Sequence, residues 1–218
     1  MKSLIFCTAL ALAAATVFAQ QGPPAGGQQG GPPPGGQQGG PPSGMPPGGM
    51  QGMPMGGPGG APQSPAAKAS VTIAGKTISI DYSSPRVKGR EGKLFTKDGR
   101  ISKDPHYPVW RAGANAATTL KTDASLMIGN LMVPAGTYTL FVDISDPAKW
   151  VLIVSKDTGE WGLSYDSTKD LGRVPMTTSK PPAMVENLEW KLTDNGGSKG
   201  TLTLTWEDVT ASVQFTVH

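Results

Sequence analysis

The sequence predicts an all-β fold, an antiparallel β-sandwich of about nine or ten short strands. Between residues 68 and 218, polar and apolar residues alternate in most segments, which is typical of strands with one face in water. Turn residues separate these segments, and no stretch shows the apolar spacing and end caps of a long helix. Together these observations favour one β domain, large enough to bury roughly 70% of its unfolded surface.

The alternating segments and their turns follow in order along the chain. TISIDY directs Ile78, Ile80 and Tyr82 to one face of a strand. Asparagine and glycine predict tight turns at Gly129-Asn130 and at 195–197, and Ser145-Asp146-Pro147 predicts a hairpin loop. The segments predicted to form strands are 77–82, 125–133, 137–144, 149–156, 186–193, 200–209 and 211–218.

Residues 83–115 interrupt the alternation with a long, basic segment broken by glycine and proline. A loop of this length in a compact domain is usually functional or disordered. Within it, residues 105–114 are expected to hold one short helical turn. The segment ends on VWRAGAN, where Trp110, Arg111 and Asn115 surround Gly113 just before a threonine-rich strand.

The N-terminal part of the chain predicts export. Residues 1–19 resemble a signal peptide, with Lys2 before an apolar stretch and Ala19 at the cleavage point. An uncleaved membrane anchor is the alternative, but a bilayer requires ~20 apolar residues. Cys7 is the only cysteine, so the mature chain would contain no disulfide. We therefore expect a periplasmic or extracellular, envelope-associated protein with no membrane span.

Residues 20–67 form a Gly/Pro/Gln/Met-rich stretch with GGQQGGPPPGGQQGGPP as its clearest repeat. Such a composition buries too little apolar area to offset the entropy of ordering, so we expect a disordered tether. The same stretch can also be interpreted as an interaction tail. The folded domain is then expected to span 68–218.

Several chemistries find no support in the sequence. The formal net charge is +3, and no basic helix or aromatic-basic stripe indicates a nucleic-acid partner. Histidine occurs only at 106 and 218, and no nucleophile elbow or His-Glu-x-x-His motif appears. We expect no metal and no cofactor, although a carboxylate calcium site near Asp166 and Asp170 stays open.

A set of polar and aromatic residues is the candidate ligand site. Arginine presents a planar fork that suits carboxylates and phosphates, and tryptophan and tyrosine offer flat faces with a polar edge. Such a pocket would bind a polar, anionic or carbohydrate-like small molecule. The candidate residues are Asp81, Arg86, Arg90, Trp110, Arg111, Asn115, Trp161 and Tyr165.

The same residues also allow a purely structural interpretation. Arginine and asparagine in long connections often bind unpaired backbone carbonyls, and Arg111 can pair with Asp81 or Glu160. Gly113 is expected to supply a positive φ. The tryptophans at 110, 150, 190 and 206 lie in strand-like segments and are expected in the core. A structural corner and a ligand site therefore both remain open for VWRAGAN.

Most of the predicted domain resembles a bacterial family, the domain of unknown function 2911. The resemblance rests on DYSSPRVKGR (81–90), VWRAGANAATTL (109–120), VPAGTYTLF (133–141), WVLIVSK (150–156), EWGLSYD (160–166) and DLGRV (170–174). The family occurs in exported bacterial proteins, so the resemblance implies export and a fold but no reaction. Between Arg90 and Trp110 this chain is more polar and charged than the family pattern.

Three functions follow as hypotheses, and the sequence leaves the oligomeric state open. The first is a non-catalytic binding module for a polar or anionic ligand. The second is a hydrolase acting on a small or saccharide substrate, with Asp81 or Asp166 as acid or base and Arg111 as anion stabiliser. The third is a structural or assembly protein. A facing carboxylate pair ~5–10 Å apart would favour a glycosidase.

Overall fold

Thirteen β-strands and two short 3-10 turns form the part of the chain that the computed structural model describes, residues 64–218. The 3-10 turns are Ile101–Lys103 and Ser167–Lys169. The strands are β1 (Ala66–Ile73), β2 (Lys76–Ser83), β3 (Val109–Trp110), β4 (Thr118–Thr122), β5 (Leu126–Ile128), β6 (Leu131–Val133), β7 (Gly136–Asp143), β8 (Val151–Ser155), β9 (Asp170–Pro175), β10 (Thr177–Ser179), β11 (Val185–Asp194), β12 (Lys199–Glu207) and β13 (Val209–Val217).

The strands form two antiparallel sheets, which confirms the predicted fold class. One sheet has the order β1-β2-β4-β7-β8-β9, and the other has the order β11-β12-β13-β5-β6. The short strand β3 pairs with β7, and β10 pairs with β13. The strand number exceeds the expected nine or ten partly because β3 and β10, with two and three residues, are too short to show an alternating pattern.

The predicted hairpins are confirmed. Gly129 and Asn130 connect β5 to β6, and residues 195–198 connect β11 to β12. Strands β7 and β8 pair antiparallel on either side of the 144–150 connection. The expected helical turn in 105–114 is wrong, because the 3-10 turn lies earlier, at Ile101–Lys103.

Strands β3 and β4 share one edge of β7, and this geometry creates the corner that carries the site. Trp110 pairs with Val142, and Thr118 pairs with Leu140, so the strand path is nearly continuous along β7. The intervening residues 111–117 leave the sheet as a loop. The loop therefore starts and ends on a rigid strand, which fixes both of its ends.

An aromatic cluster closes the core beside this corner. Trp110 and Trp206, from opposite sheets, stack with ring centroids 5.8 Å apart and an interplanar angle of 16°. Phe95 of the long loop lies 5.0 Å from Trp150 and packs on both stacked rings. The four tryptophans expected in the core, at 110, 150, 190 and 206, are all buried. Large aromatic surfaces thus unite the two sheets and the loop.

The central strands β7 and β8 are buried on both faces, contrary to the expectation that one face of each sheet is wet. Leu140 and Leu152 belong to the inter-sheet core, whereas Phe141 and Ile153 alternate with them and are only 3% and 0% exposed. Tyr165 covers the outer face with its ring 4.9 Å from that of Phe141. The segment before β9 thus forms a second layer over this sheet.

The predicted signal peptide lies outside the described residues, as does the predicted tether up to residue 63. Both stay predictions. Strand β1 begins at Ala66, so the predicted domain start at Lys68 lies within it. Among residues 64–218, no helix has the length and apolar character that a membrane crossing requires.

Candidate functional site

A pocket of about 410 Å³ opens at the end of the sandwich where β2 and β12 finish and β4 begins. Three segments form its walls: the 85–104 part of the long loop, the 111–117 loop and residues 161–163. The buried rings of Trp110 and Trp206 contribute to its floor. Its volume lies in the ~300–1,000 Å³ range of small-molecule sites. We call it the cationic pocket.

Positive charge dominates the wall of the cationic pocket. Five cationic side chains line it, against a single carboxylate, that of Asp104. Such a concentration of one sign in a concave site attracts anions and concentrates them locally. The cationic residues are Arg86, Lys88, Arg90, Arg100 and Arg111.

Arg111 is the most enclosed of these cations. Its side chain is 13% exposed, its Nη2 lies 3.7 Å from Asp104 Oδ1, and its Nη1 donates to the Asn115 carbonyl at 3.3 Å. Its buried Nε has no hydrogen-bond partner among the described residues. Burial lowers the pKa of Arg111, and Asp104 offsets this only partly. The guanidinium is therefore desolvated without a full set of protein acceptors, which is costly unless water or a ligand supplies one.

Arg90 has a different role from its neighbours. Its Nε donates to the Val87 carbonyl at 2.8 Å and its Nη2 to the Arg86 carbonyl at 2.5 Å, so it fixes the turn of the loop. Within residues 64–218, the side chains of Arg86, Lys88 and Arg100 form no hydrogen bond or ion pair. These three charges are therefore free to meet a ligand.

The 111–117 loop adopts a strained backbone that hydrogen bonds hold in place. Ala112 and Asn115 have φ values of 49° and 58°, and the left-handed region costs a non-glycine residue about 1–2 kcal/mol. The Ala112 carbonyl accepts a 2.9 Å hydrogen bond from Trp190 Nε1 and a 3.2 Å bond from Thr118 Oγ1. Buried donors thus compensate the strain, as is common where a site must be preorganised.

Gly113 serves this loop by its size, so the expectation that it supplies a positive φ is wrong. Its φ is not among the positive values, and a Cβ there would lie 2.8 Å from Thr118 Oγ1. Gly162 is required for the same reason, because its Cβ would lie 2.7 Å from Arg111 Cδ and 2.6 Å from the Asn115 carbonyl oxygen. Close packing at Gly162 joins the 161–163 wall to Arg111.

Trp161 is the exposed aromatic residue of the cationic pocket. Its side chain lies at the rim with 57% of its surface accessible, whereas the other four tryptophans are buried. A β-bridge between Trp161 and Ala116 fixes its backbone to the 111–117 loop. A large ring exposed beside a fixed backbone presents a flat surface to the pocket.

Glu207 holds the basic loop from the other side. It is 3% exposed, has a φ of 55° and accepts a hydrogen bond from the backbone N–H of Gly92. Burial raises the pKa of this carboxyl, and the Gly92 hydrogen bond opposes the rise. Glu207 thus anchors the stretch between Arg90 and Arg100 to the end of β12.

Six of the eight predicted site residues line the cationic pocket, and two lie elsewhere. Asp81 accepts hydrogen bonds from Lys68 at 2.9 Å and Lys121 at 3.2 Å, and the Lys68 bond lowers its pKa. Tyr165 lies in the segment that precedes β9, on the outer face of the same sheet and toward its opposite edge. The six lining residues are Arg86, Arg90, Trp110, Arg111, Asn115 and Trp161.

Tyr165 belongs to a second polar group, the Arg173 cluster, which comprises Asp143, Tyr165, Asp170 and Arg173. Tyr165 Oη donates to Asp170 Oδ2 at 2.9 Å and accepts from Arg173 Nη2 at 2.6 Å. Arg173 also contacts Asp143 at 3.4 Å. Burial and the hydrogen bond to Asp170 raise the pKa of Tyr165 to about 12. The cluster connects the segment before β9 that contains Tyr165, the covering segment, to β7 and β9.

The proposed pairing of Arg111 with Asp81 or Glu160 is wrong, because its acidic neighbour is Asp104. Sequence reasoning did not select Arg100 and Asp104, which lie in a polar loop where no periodic pattern marks a direction. Their one available signal was membership of the long non-alternating segment. Among the described residues, no group of three His, Cys, Asp or Glu side chains is placed to hold a metal.

Comparison with known proteins identifies the family but no relative of known activity. No curated protein and no solved structure matches the chain. The model of one family, "Protein of unknown function (DUF2911)", matches residues 64–215, which covers both sheets and the cationic pocket. Because this match spans more than half of the chain and agrees with the resemblance in the sequence, the protein belongs to the DUF2911 family.

Proposed function

We propose that this domain is a non-catalytic binding module that holds a small anionic ligand in the cationic pocket. The observation that carries the proposal is the charge imbalance of the wall, five cationic side chains against one carboxylate. Three of those cations have no partner within residues 64–218, and Arg111 has an unpaired buried Nε. An anion bound between them would supply the missing acceptors and relieve the repulsion among the cations.

The positions of the acidic residues favour binding over hydrolysis. A glycosidase needs two carboxylates that face each other across a cleft, and Asp104 is the single carboxylate on the wall of the cationic pocket. Asp81 is paired with two lysines outside the pocket, and Asp166 binds the N-terminal end of the second 3-10 turn through Thr168. Neither is placed to act on a ligand held by Arg111.

The proposal includes export to the periplasm or cell exterior. Its support is the signal-like stretch at 1–19 and the resemblance to exported bacterial proteins. In such a setting the Gly/Pro/Gln-rich stretch would serve as a tether that separates the binding domain from its attachment point. Cell fractionation with N-terminal sequencing of the mature protein tests this part, and an intact Met1 in a cytoplasmic fraction would contradict it.

Titration calorimetry with inorganic pyrophosphate tests the binding proposal. The full-length protein is titrated at low salt beside Arg86→Gln, Arg100→Gln and a control, Lys191→Gln, whose exposed side chain lies outside the pocket on β11. Because a charge-assisted hydrogen bond contributes ~1.5–3 kcal/mol, each pocket variant should bind roughly tenfold or more weakly. The control should bind normally, and added salt should weaken binding. Equal binding by all variants would contradict the proposal, as would no binding by the unaltered protein.

A further inference from the structure

We infer that the anionic ligand of the cationic pocket is an acidic sugar, recognised by its ring face, its hydroxyl groups and its anionic group. This inference rests on the proposed anion-binding function and names the ligand class. Three features of the pocket carry it: an exposed indole, unengaged acceptors between the cations, and the enclosed guanidinium of Arg111.

The indole of Trp161 is suited to the flat C–H face of a sugar ring. It is 57% exposed at the pocket rim, and the β-bridge to Ala116 fixes its backbone. An exposed indole can bury apolar area against the flat face of a ring, and its polar edge tolerates neighbouring hydroxyls. A simple inorganic anion has no surface that would use this ring.

The pocket also contains hydrogen-bond acceptors, and a ligand that carries only negative charge offers them no donor. Within residues 64–218, the Asp104 carboxylate forms one ion pair, with Arg111, and that distance of 3.7 Å is long for a hydrogen bond. Asn115 uses its Nδ2 to donate to the Ser64 carbonyl at 3.3 Å, so its Oδ1 is left to accept. Hydroxyl groups can donate to both acceptors, whereas a carboxylate without hydroxyls cannot.

The guanidinium of Arg111 supplies the third contact. Arg111 lines the pocket opposite Arg100 and Asp104 of the long loop, and its buried Nε has no hydrogen-bond partner among the described residues. The planar fork fits a carboxylate, sulfate or phosphate group bidentately. The volume of about 410 Å³ accommodates a ligand of roughly one to two sugar rings. A ring held on Trp161 can therefore direct its acidic substituent toward Arg111.

Calorimetry with a matched set of probes tests the inference. Digalacturonate carries ring, hydroxyls and carboxylates. Digalactose lacks only the charge, pyrophosphate lacks the ring, and naphthoate has ring and charge but no hydroxyls. Digalacturonate should bind about tenfold or more tightly than either digalactose or naphthoate. Replacing it with glucose 6-phosphate, or with a sulfated galactose, identifies which acidic group the pocket prefers.

The variant Trp161→Ala separates this inference from the proposed function. It should weaken digalacturonate about tenfold and leave pyrophosphate within about twofold, since the indole touches only the ring. Trp161→Phe should restore part of the affinity, and Met132→Ala, an exposed apolar residue outside the pocket, should change neither. If pyrophosphate binds but digalacturonate binds no better than digalactose or naphthoate, the acidic-sugar inference fails while anion binding stands. The inference also fails if Trp161→Ala leaves digalacturonate binding unchanged. If no anion binds, both fail.

Discussion

Two arginines, Arg111 in the 111–117 loop and Arg173 on β9, show how differently one type of side chain can be used. Arg173 donates to Asp170 at 3.0 Å and Tyr165 at 2.6 Å and contacts a second carboxylate. Arg111, though more enclosed, has one carboxylate at 3.7 Å and an unpaired Nε. Burial alone would lower the pKa of both, but Tyr165 and the acidic neighbours raise that of Arg173, whereas the pKa of Arg111 stays lowered.

The difference separates an internal structural network from the site that we propose binds a ligand. In the Arg173 cluster, every cationic contact is an internal one, and the group attaches the covering segment to the sheet. In the cationic pocket, the side chains of Arg86, Lys88 and Arg100 and the Nε of Arg111 have no internal acceptor among the described residues. Cations without internal acceptors lower the stability of the fold, and such a loss of stability is common at functional sites.

The largest loss of unfolding free energy should come from replacing Trp110, whose buried ring belongs both to the core and to the floor of the pocket. Trp110→Ala removes a ring that is 2% exposed and stacked on Trp206. Because truncation of a buried aromatic residue leaves a cavity, the unfolding free energy should fall by ~3–5 kcal/mol. Urea denaturation followed by circular dichroism measures this. Trp161→Ala, the exposed counterpart, should lose no more than ~0.5 kcal/mol, and a similar loss in both would contradict the division between floor and rim.

Arg173→Met should have the next largest effect. The change retains the aliphatic stem and removes the donors that connect Tyr165, Asp170 and Asp143. Since Arg173 is 41% exposed, solvent screening limits the loss to ~1–2 kcal/mol for the whole network. Denaturation of the variant beside the unaltered protein provides the measurement, and anion binding should be unaffected. Weakened pyrophosphate binding would contradict the separation of the two regions.

Arg111→Met should reverse this pattern. Its aliphatic stem keeps the packing against Gly162, and the lost charge was poorly compensated, so unfolding free energy should change by less than ~1 kcal/mol. Pyrophosphate affinity should drop about tenfold or more, because a charge-assisted contact to the ligand is lost. Stability and calorimetry on one preparation measure both quantities. A loss of ~3–5 kcal/mol would instead make Arg111 a structural residue of the corner.

Much of the fold was predictable because its signals are local. Alternation and the glycine turns at 129 and 195–197 specify hairpins whose partners are close in sequence. Strands β3 and β10 were not predictable, since they are two and three residues long and pair with strands that alternation alone does not identify. The covering of Phe141 by Tyr165 was missed for a related reason: an irregular segment does not show in sequence which face it packs on.

The candidate site was predictable only in part, for the same physical reason. Residue type selected Trp110, Arg111, Asn115 and Trp161, which all line the cationic pocket, and a bridge to Ala116 joins Trp161 to the 111–117 loop. Type alone could not distinguish Asp81 or Tyr165, whose charges and hydroxyl are used in internal pairs. Arg100 and Asp104 reach the pocket through a loop whose path depends on Phe95 packing in the core and on Glu207. Whether the selected residues bind a ligand stays a prediction.

The last expected effect is a change of stability confined to alkaline pH, and it concerns the Arg173 cluster alone. Tyr165 has its pKa raised to about 12 by burial and by Asp170, so its protonated form is favoured in the folded state. The resulting stabilisation is fully present below pH ~10, the usual tyrosine pKa, and is lost as the pH rises through about 12. Tyr165→Phe should therefore show a flatter decline of unfolding free energy over that range. In a titration followed by tyrosinate absorbance, one of the four tyrosines should ionise at a higher pH than the others, and this last step should be missing from the variant. Pyrophosphate binding at neutral pH should be unchanged. If all tyrosines of the unaltered protein instead ionise together near pH ~10, Tyr165 is not held by Asp170 and Arg173. Arg173 would then lack the internal partners that distinguish it from Arg111.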